Sequence, residues 1–202
     1  MREDQHYHRV CNIVLLRYTE IYENTEILSP IDTETWQLIG EACNLDPASR
    51  VIELASGKGA FAGYLAKNFN CRVECFEIDP DFVAHSVRRA SELDLSSRLE
   101  FQCCDVNSLR VEGEAYDLGV CLGSLYLFRE SGWRVLMEAV RGSGYVAVSD
   151  LVCKNPPPPR ELQEVFFEET GQPLTLEDAR RWYISRGAVS YTHLTLPTNR
   201  EV

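Results

Sequence analysis

Residues 51–66 read VIELASGKGAFAGYLA. An apolar run, Val51 to Leu54, passes into a turn that carries Gly57 and Gly59, and from there into residues whose apolar positions recur at helical spacing. Strand, bare loop and helix in that order make the first half of a β-α-β unit. In an open parallel sheet such a loop stands at the carboxyl end of its strand, where ligands bind. Loops of this composition hold either a dinucleotide pyrophosphate or a nucleoside that carries an amino acid. Those ligands differ in the sign of their charge, so the neighbouring side chains discriminate between them.

The chain on either side extends the alternation. RVECFEI (72–78), RLEFQCC (98–104), YDLGVCL (116–122) and GYVAVSDL (144–151) join RVIELA (50–55) as β-type runs. Helix-type segments separate them. One reaches from the loop to about Phe69, one opens with Asp79 and Pro80 in cap and first-turn positions, and one lies near Gly132 to Val140. The second is expected to bury Phe82, Val83, Val87 and Ala90 on one face. Five β-runs with helical crossovers predict an α/β fold with a doubly wound, mostly parallel sheet. Before it, residues 8–25 place Val10, Ile13, Val14 and Ile21 at helical spacing, and Asp32 or Thr33 is positioned to cap a second helix. After it, NPPPP (155–159) reads as a stiff extended spacer, and a last helix opens with Thr175-x-x-Asp178 and closes at Gly187. The organisation expected is a helical lid over 1–45, a core over 46–152, a helical segment over 153–188 and a tail over 189–202.

At 202 residues the chain is long enough to bury one well-formed core. Hydrophobic residues make up 45% and charged residues 25%, which excludes a disordered or fibrous chain. Apolar runs such as IVLL at 13–16 are too short to span a bilayer. Glu3, Asp4 and His6 stand where a secretion signal needs a basic segment and an apolar stretch, so a cytoplasmic protein is expected. Asp plus Glu outnumber Lys plus Arg 31 to 20, and the net charge of -11 repels a phosphate backbone. Neither nucleic acid nor a membrane is an expected partner. The eight cysteines form no Cys-x-x-Cys pair and no zinc-ligand spacing with the four histidines. They read as small buried thiols in a reducing compartment, and no metal is expected.

Three acids bear on the charge of the ligand. Glu53 sits in the strand end just before the loop. Glu77 closes the second β-run, where a carboxylate accepts hydrogen bonds from ribose hydroxyls, and Asp105 follows the third, where it takes the exocyclic amine of an adenine. Such a cleft disfavours a diphosphate. Opposite charges a few ångströms apart gain about 4 kcal/mol at an effective dielectric of about 20, so it favours a sulfonium and ammonium cation. Lys58 reads as a solvated loop residue.

The ordered set ELASGKG, FEIDP, CCD and YDLGVCLGS resembles the motif series of the Rossmann-like S-adenosylmethionine-dependent methyltransferases, over residues from about 30 to 150. Glu53, Gly57 and Gly59 match the family's acidic-x-Gly-x-Gly-x-Gly, with Ala55 in place of the first glycine. That departure is mild unless the backbone there needs positive φ. The resemblance implies S-adenosylmethionine as cofactor, with the loop from Ala55 to Gly59 against its methionine part and Glu77 on its ribose. It implies that the adenine rests between Ile78 and the turn of Cys104, Asp105 and Val106, with Asp105 on the amine. Leu122, Gly123 and Ser124 complete the pocket.

Methyl transfer from a sulfonium is an in-line displacement, which an enzyme accelerates by holding the acceptor atom behind the methyl group in a dry pocket. No general base is obligatory. Ser124 and Tyr126 are candidates for orienting a small-molecule acceptor, or else they only line or cap the next helix. Tyr18, Tyr22 and the segment 151–187 are the expected acceptor side. NPPPP follows the fifth strand and lacks the aromatic residue of the amino-methylating nucleic-acid enzymes, and no Pro-Cys dipeptide marks Cys121 as a nucleophile. Two other functions stay open. Gly57, Gly59 and Gly63 also resemble the loop of an NAD(P)-dependent oxidoreductase, and a non-catalytic protein that binds the cofactor or a partner is the third reading. Neither the acceptor nor the oligomeric state is legible.

The family resemblance calls for further strands after Gly187, including a last antiparallel one. Instead VSYTHLTLPTNREV (189–202) resembles the translation of a transposase adapter used in preparing sequencing libraries. A natural disordered tail is the alternative. The expectation is a sheet that lacks its last strands through C-terminal truncation and leaves its fifth strand as an exposed edge.

Overall fold

The computed structural model describes residues 22, 24–28, 31–111, 113–154, 160 and 175–188. The helix expected over 8–25, apart from Tyr22, Asn24 and Thr25, lies outside the described residues, as do Tyr18, the NPPPP spacer and the tail from 189. The chain divides into two compact units, 1–148 and 149–202.

The first unit opens with α1 (Thr33–Ala42), whose first turn is capped by Asp32 accepting the Thr35 N–H at 2.9 Å. Then follow β1 (Arg50–Leu54), α2 (Ala60–Phe69), β2 (Arg72–Glu77), α3 (Pro80–Glu92), β3 (Leu99–Cys103), β4 (Tyr116–Leu122), a 3-10 turn (Leu125–Leu127), α4 (Arg129–Ala139) and β5 (Val140–Ser149). The strands form one parallel sheet in the order β3-β2-β1-β4-β5. The order reverses beside β1, so the loop after β1 stands at the switch point where such sheets open a crevice. Val51 is in register with Val73 on one side and Leu118 on the other, which brings the carboxyl ends of β1, β2 and β4 to one edge.

Central strands read as near-continuous apolar runs because both faces are covered. On one face Val51, Val73, Cys75, Leu118 and Val120 pack with Trp36 and Ile39 of α1 and with Phe61 and Leu65 of α2. Trp36 meets Phe61 and Tyr64 edge to face, at centroid distances of 5.6 and 5.5 Å. The described cysteines are free thiols, with Cys71, Cys75 and Cys121 buried and Cys103 exposed.

Two sequence expectations shift. β5 begins at Val140, directly from α4, rather than at Gly144. The buried face of α3 is Phe82, Ser86 and Ala90, while Val87 is half exposed. These three recur at a spacing of four residues, and the small Ser86 takes the position that faces the glycine loop, where a valine has no room.

In the second unit α5 (Leu176–Ile184) starts from the expected capping box, Thr175 bonding the Asp178 N–H and Asp178 the Thr175 N–H. Gly187 follows it at a φ of 93°. Tyr183 donates its hydroxyl to Asp150 at 2.8 Å, and Arg186 stacks over Trp182 at 4.1 Å. Among the described residues no helix is long and apolar enough to cross a membrane.

Candidate cofactor site

The turn after β1 is wound through left-handed backbone at Ala55, Gly57 and Gly59, with φ of 53°, 56° and 68°. Glycine takes that conformation freely and alanine does not, so the substitution at Ala55 is not mild: its backbone requires the positive φ that the family's glycine supplies. Neighbours close in from two sides. A Cβ on Gly57 would meet Leu28 at 2.9 Å, and one on Gly59 would meet the Phe101 ring at 2.7 Å. Ser86 of α3 donates to the Gly57 carbonyl at 3.3 Å, and the Ser56 N–H bonds the Phe76 carbonyl.

Glu77 fastens the loop to β2. Its carboxylate accepts the Gly57 N–H at 2.8 Å on one oxygen, and the Ile78 and Asp79 N–H groups at 2.9 and 3.0 Å on the other. It is 7% exposed, and burial raises its affinity for a proton against the pull of those three donors. Glu53 is more deeply placed, at 4% exposure. Burial first, with the charge of Glu77 adding to it, pushes its carboxyl up to about 8, despite the Cys75 thiol at 3.9 Å and the Ala62 N–H. Glu53 thus lies buried beneath the loop rather than on an open cleft wall.

The Cys104 N–H bonds the Glu77 carbonyl at 2.8 Å and so sets the end of β3 beside the end of β2. Asp105 follows on the surface, one oxygen turned back to the Asn107 N–H at 2.8 Å and the Asn107 amide at 3.1 Å. Its other oxygen has no partner among the described residues. Val106 is buried, Cys104 half-buried, and the Ile78 side chain 44% exposed, an apolar surface next to Glu77. At the end of β4, Leu122 is buried, Gly123 turns at a φ of 91°, and Ser124 leads the 3-10 turn that holds Tyr126. Pairing of Glu53 with Val120 places this turn on the same edge as the loop.

Three residues that bear on the site carry no signal in the sequence. Lys58 is 6% exposed, not solvated: its ammonium donates to the Tyr22 carbonyl at 2.6 Å and the Thr25 carbonyl at 3.0 Å, and stands over the Phe82 ring 5.8 Å from its centroid. Glu26, in the same segment, pairs with Arg89 and lies 3.4 Å from His85 on α3. The buried Ser56 hydroxyl has no hydrogen-bond partner among the described residues. Ser86 was legible only as a gap in an apolar stripe.

A methyltransferase-domain family matches residues 51–142. Phosphoethanolamine N-methyltransferase 1 of Arabidopsis thaliana is 22% identical over 162 residues, covering 79% of this chain and 32% of its own length. The uncharacterized protein YjhP of Escherichia coli K12 is 24% identical over 153 residues, covering 74% of this chain and 61% of its own. The chain thus spans less than two thirds of either relative. In three dimensions it superposes on a SAM-dependent methyltransferase from Geobacter sulfurreducens, solved with S-adenosyl-L-homocysteine, with a TM-score of 0.75 at 21% identity over 86% of this chain and 71% of the other. Residues 51–142 thus match a methyltransferase-domain family, and the chain has the Rossmann-like fold of the S-adenosylmethionine-dependent methyltransferase on which it superposes.

Proposed function

We propose that the chain binds S-adenosylmethionine at the carboxyl edge of its sheet and transfers the methyl group to a small-molecule acceptor. The observation that carries this reading is the Glu77 carboxylate, buried at the end of β2 and bonded to Gly57 of the loop. A buried carboxylate beside a glycine turn suits a ligand that brings ribose hydroxyl donors, and the methyltransferase-domain match over residues 51–142 supports S-adenosylmethionine as that ligand.

The residues fit that ligand. Gly57 and Gly59 leave the backbone bare, the unpartnered Ser56 hydroxyl awaits a hydrogen-bonding group, and Asp105 keeps one oxygen for an amine. In this reading Glu53, Ala55, Gly57 and Gly59 frame the methionine part, and Glu77 holds the ribose. Ile78, Cys104, Asp105 and Val106 hold the adenine, while Leu122, Gly123 and Ser124 close the pocket. Bound there, the cofactor supplies an electrophilic methyl group. The chain's part is to orient and to exclude water, with Ser124 and Tyr126 as the side chains that position the acceptor. Acceptor choice rests with segments outside residues 46–152, and Tyr22 is a described aromatic on the N-terminal side.

Calorimetric titration with S-adenosylmethionine and with NADH tests the reading. Binding of the first and indifference to the second supports it; the reverse replaces it with an oxidoreductase. Turnover to S-adenosylhomocysteine across a panel of small amines and alcohols then tests catalysis. Phosphoethanolamine belongs in that panel on the strength of the Arabidopsis relative. Tight cofactor binding with no turnover against any acceptor favours a non-catalytic role.

A further inference from the structure

Glu53 and Glu77 stand on one face of the sheet with Cys75 between them, because Glu53 is in register with Cys75, and Cys75 and Glu77 are two residues apart on β2. Both are buried, and among the described residues neither has an ion-pair partner. Their donor sets differ. Glu77 accepts three backbone N–H groups at 2.8 to 3.0 Å, so its negative charge is solvated by the protein. Glu53 has a thiol at 3.9 Å and the Ala62 N–H at the amino end of α2. Two buried carboxylates in one site do not both ionise without a cation, and the proton stays on the one with the poorer donors.

Among the described residues no neighbour supplies that cation. β2 presents the Cys75 thiol and Glu77, β4 presents Val120 in register, and the first turn of α2, residues 60–63, has no charged side chain. Lys58, the cation of the loop, is engaged by the Tyr22 and Thr25 carbonyls.

We propose that Glu53 is a neutral acid in the empty site and releases its proton to solvent when a cationic ligand enters, which makes it the residue that selects for charge in the ligand. This rests on the S-adenosylmethionine reading. The step conserves charge: a protonated carboxyl and a ligand cation become a carboxylate paired with that cation plus one proton in solution, and no bond in the ligand changes. Burial and the neighbouring Glu77 charge already hold the Glu53 carboxyl far above the ordinary range, near 8, in keeping with the asymmetry of the donors.

The test is calorimetry of the full chain with S-adenosylmethionine, in two buffers of different ionisation heat, from about pH 6 to about pH 7.5. One proton is released per ligand bound, and affinity rises about tenfold per pH unit. Glu53→Gln loses the release and the slope. 5′-Methylthioadenosine, which keeps the adenosine and the thioether but has no cation, binds wild type without a slope. A slope that survives in Glu53→Gln, or equal proton release with methylthioadenosine, overturns the proposal. Should Glu53→Gln not fold, the infrared band of a protonated buried carboxyl in wild type decides: it disappears on adding S-adenosylmethionine, and its absence from the empty protein is fatal. If S-adenosylmethionine does not bind at any pH, the functional reading fails first, and the band still reports whether Glu53 is protonated in the empty site.

Discussion

The ammonium of Lys58 donates to the main-chain carbonyl of Tyr22 at 2.6 Å, and so fastens to the glycine loop a segment 36 residues upstream. A second bond to the Thr25 carbonyl and the packing of Leu28 on Gly57 act in the same place. A buried ammonium that satisfies two carbonyls is a clamp, because three donors on a flexible stem reach several acceptors at once. Lys58→Met keeps the stem and removes the donors. It is expected to cost about 1.5–3 kcal/mol, the net worth of a hydrogen bond to a charged group. Hydrogen exchange is the direct readout: amides at 24–28 lose protection, while those of β1 and β4 fall only with global stability. Unchanged exchange at 24–28 would mean that the segment is held by something else.

Ala55 is the second case in which a local conformation has a measurable consequence. At a φ of 53° its methyl group crowds the backbone, a strain of about 1–2 kcal/mol that glycine does not have. Part of that gain is returned, since glycine also loosens the unfolded chain. Ala55→Gly is expected to raise stability by about 0.5–1 kcal/mol in chemical denaturation. A loss of stability would show that the alanine methyl makes contacts worth more than the strain.

Ser56 gives a prediction in which stability and binding move oppositely. A buried hydroxyl without a partner destabilises the empty protein by about 1–3 kcal/mol relative to an apolar replacement. Ser56→Ala therefore raises the unfolding midpoint of the empty protein. It also weakens S-adenosylmethionine binding, because the hydroxyl's proposed partner is in the ligand. Thermal unfolding with and without ligand separates the two, and an unaltered ligand-induced shift removes Ser56 from the site.

How much of this was legible beforehand follows from the range of the interactions involved. β4 matches its apolar run residue for residue, and the caps at Asp32, Asp79 and Thr175 came from short-range chemistry that a sequence carries openly. That the loop stands at the carboxyl end of its strand followed from strand alternation, whereas its place at the switch point needed the strand order, which pairing over long range decides. Lys58 was misread because its partners are carbonyls 33 and 36 residues away, and main-chain acceptors leave no mark in a sequence. The face of α3 was misread because Ser86 is buried for its smallness beside Gly59, a reason that hydropathy does not register. Glu53 and Glu77 were found as acids, but charge depends on burial, and burial on the helices laid over the strand ends.

Glu77 also alters what its own mutation tests. Taken as a ligand-binding carboxylate alone, its replacement by alanine should spare the fold. Its three backbone bonds say otherwise, because Glu77→Ala orphans the N–H groups of Gly57, Ile78 and Asp79. Each buried orphan costs about 1–3 kcal/mol, so loss of binding in that variant confounds fold with function. Glu77→Gln is the cleaner probe: its amide oxygen retains acceptors on one side, and the shape is conserved. It is expected to keep most of its circular dichroism signal and to lose at least tenfold in S-adenosylmethionine affinity by calorimetry. Full affinity in Glu77→Gln would remove the carboxylate from the ribose site.

The last consequence concerns pH and the empty protein. Glu53 goes from an ordinary 4.5 when unfolded to about 8 when folded. The folded state therefore binds this proton more tightly, and the stability it contributes is fully present below about pH 4.5. Between that value and about 8 the folded chain carries a proton that the unfolded chain has lost, so stability falls as pH rises, by about 1.4 kcal/mol per pH unit. Glu77, raised in the same direction by burial, adds to the slope in wild type. The difference between wild type and Glu53→Gln isolates Glu53, because glutamine fills the same space and titrates nowhere in the range. Wild-type stability measured by denaturation at several pH values from about 5 to 8 should start close to the variant's at the acid end, where the neutral carboxyl and the amide are isosteric, and fall progressively below it toward the alkaline end as Glu53 is forced to ionise on unfolding. Parallel curves would mean that Glu53 is already charged when folded, with a cation beside it that the described residues do not provide.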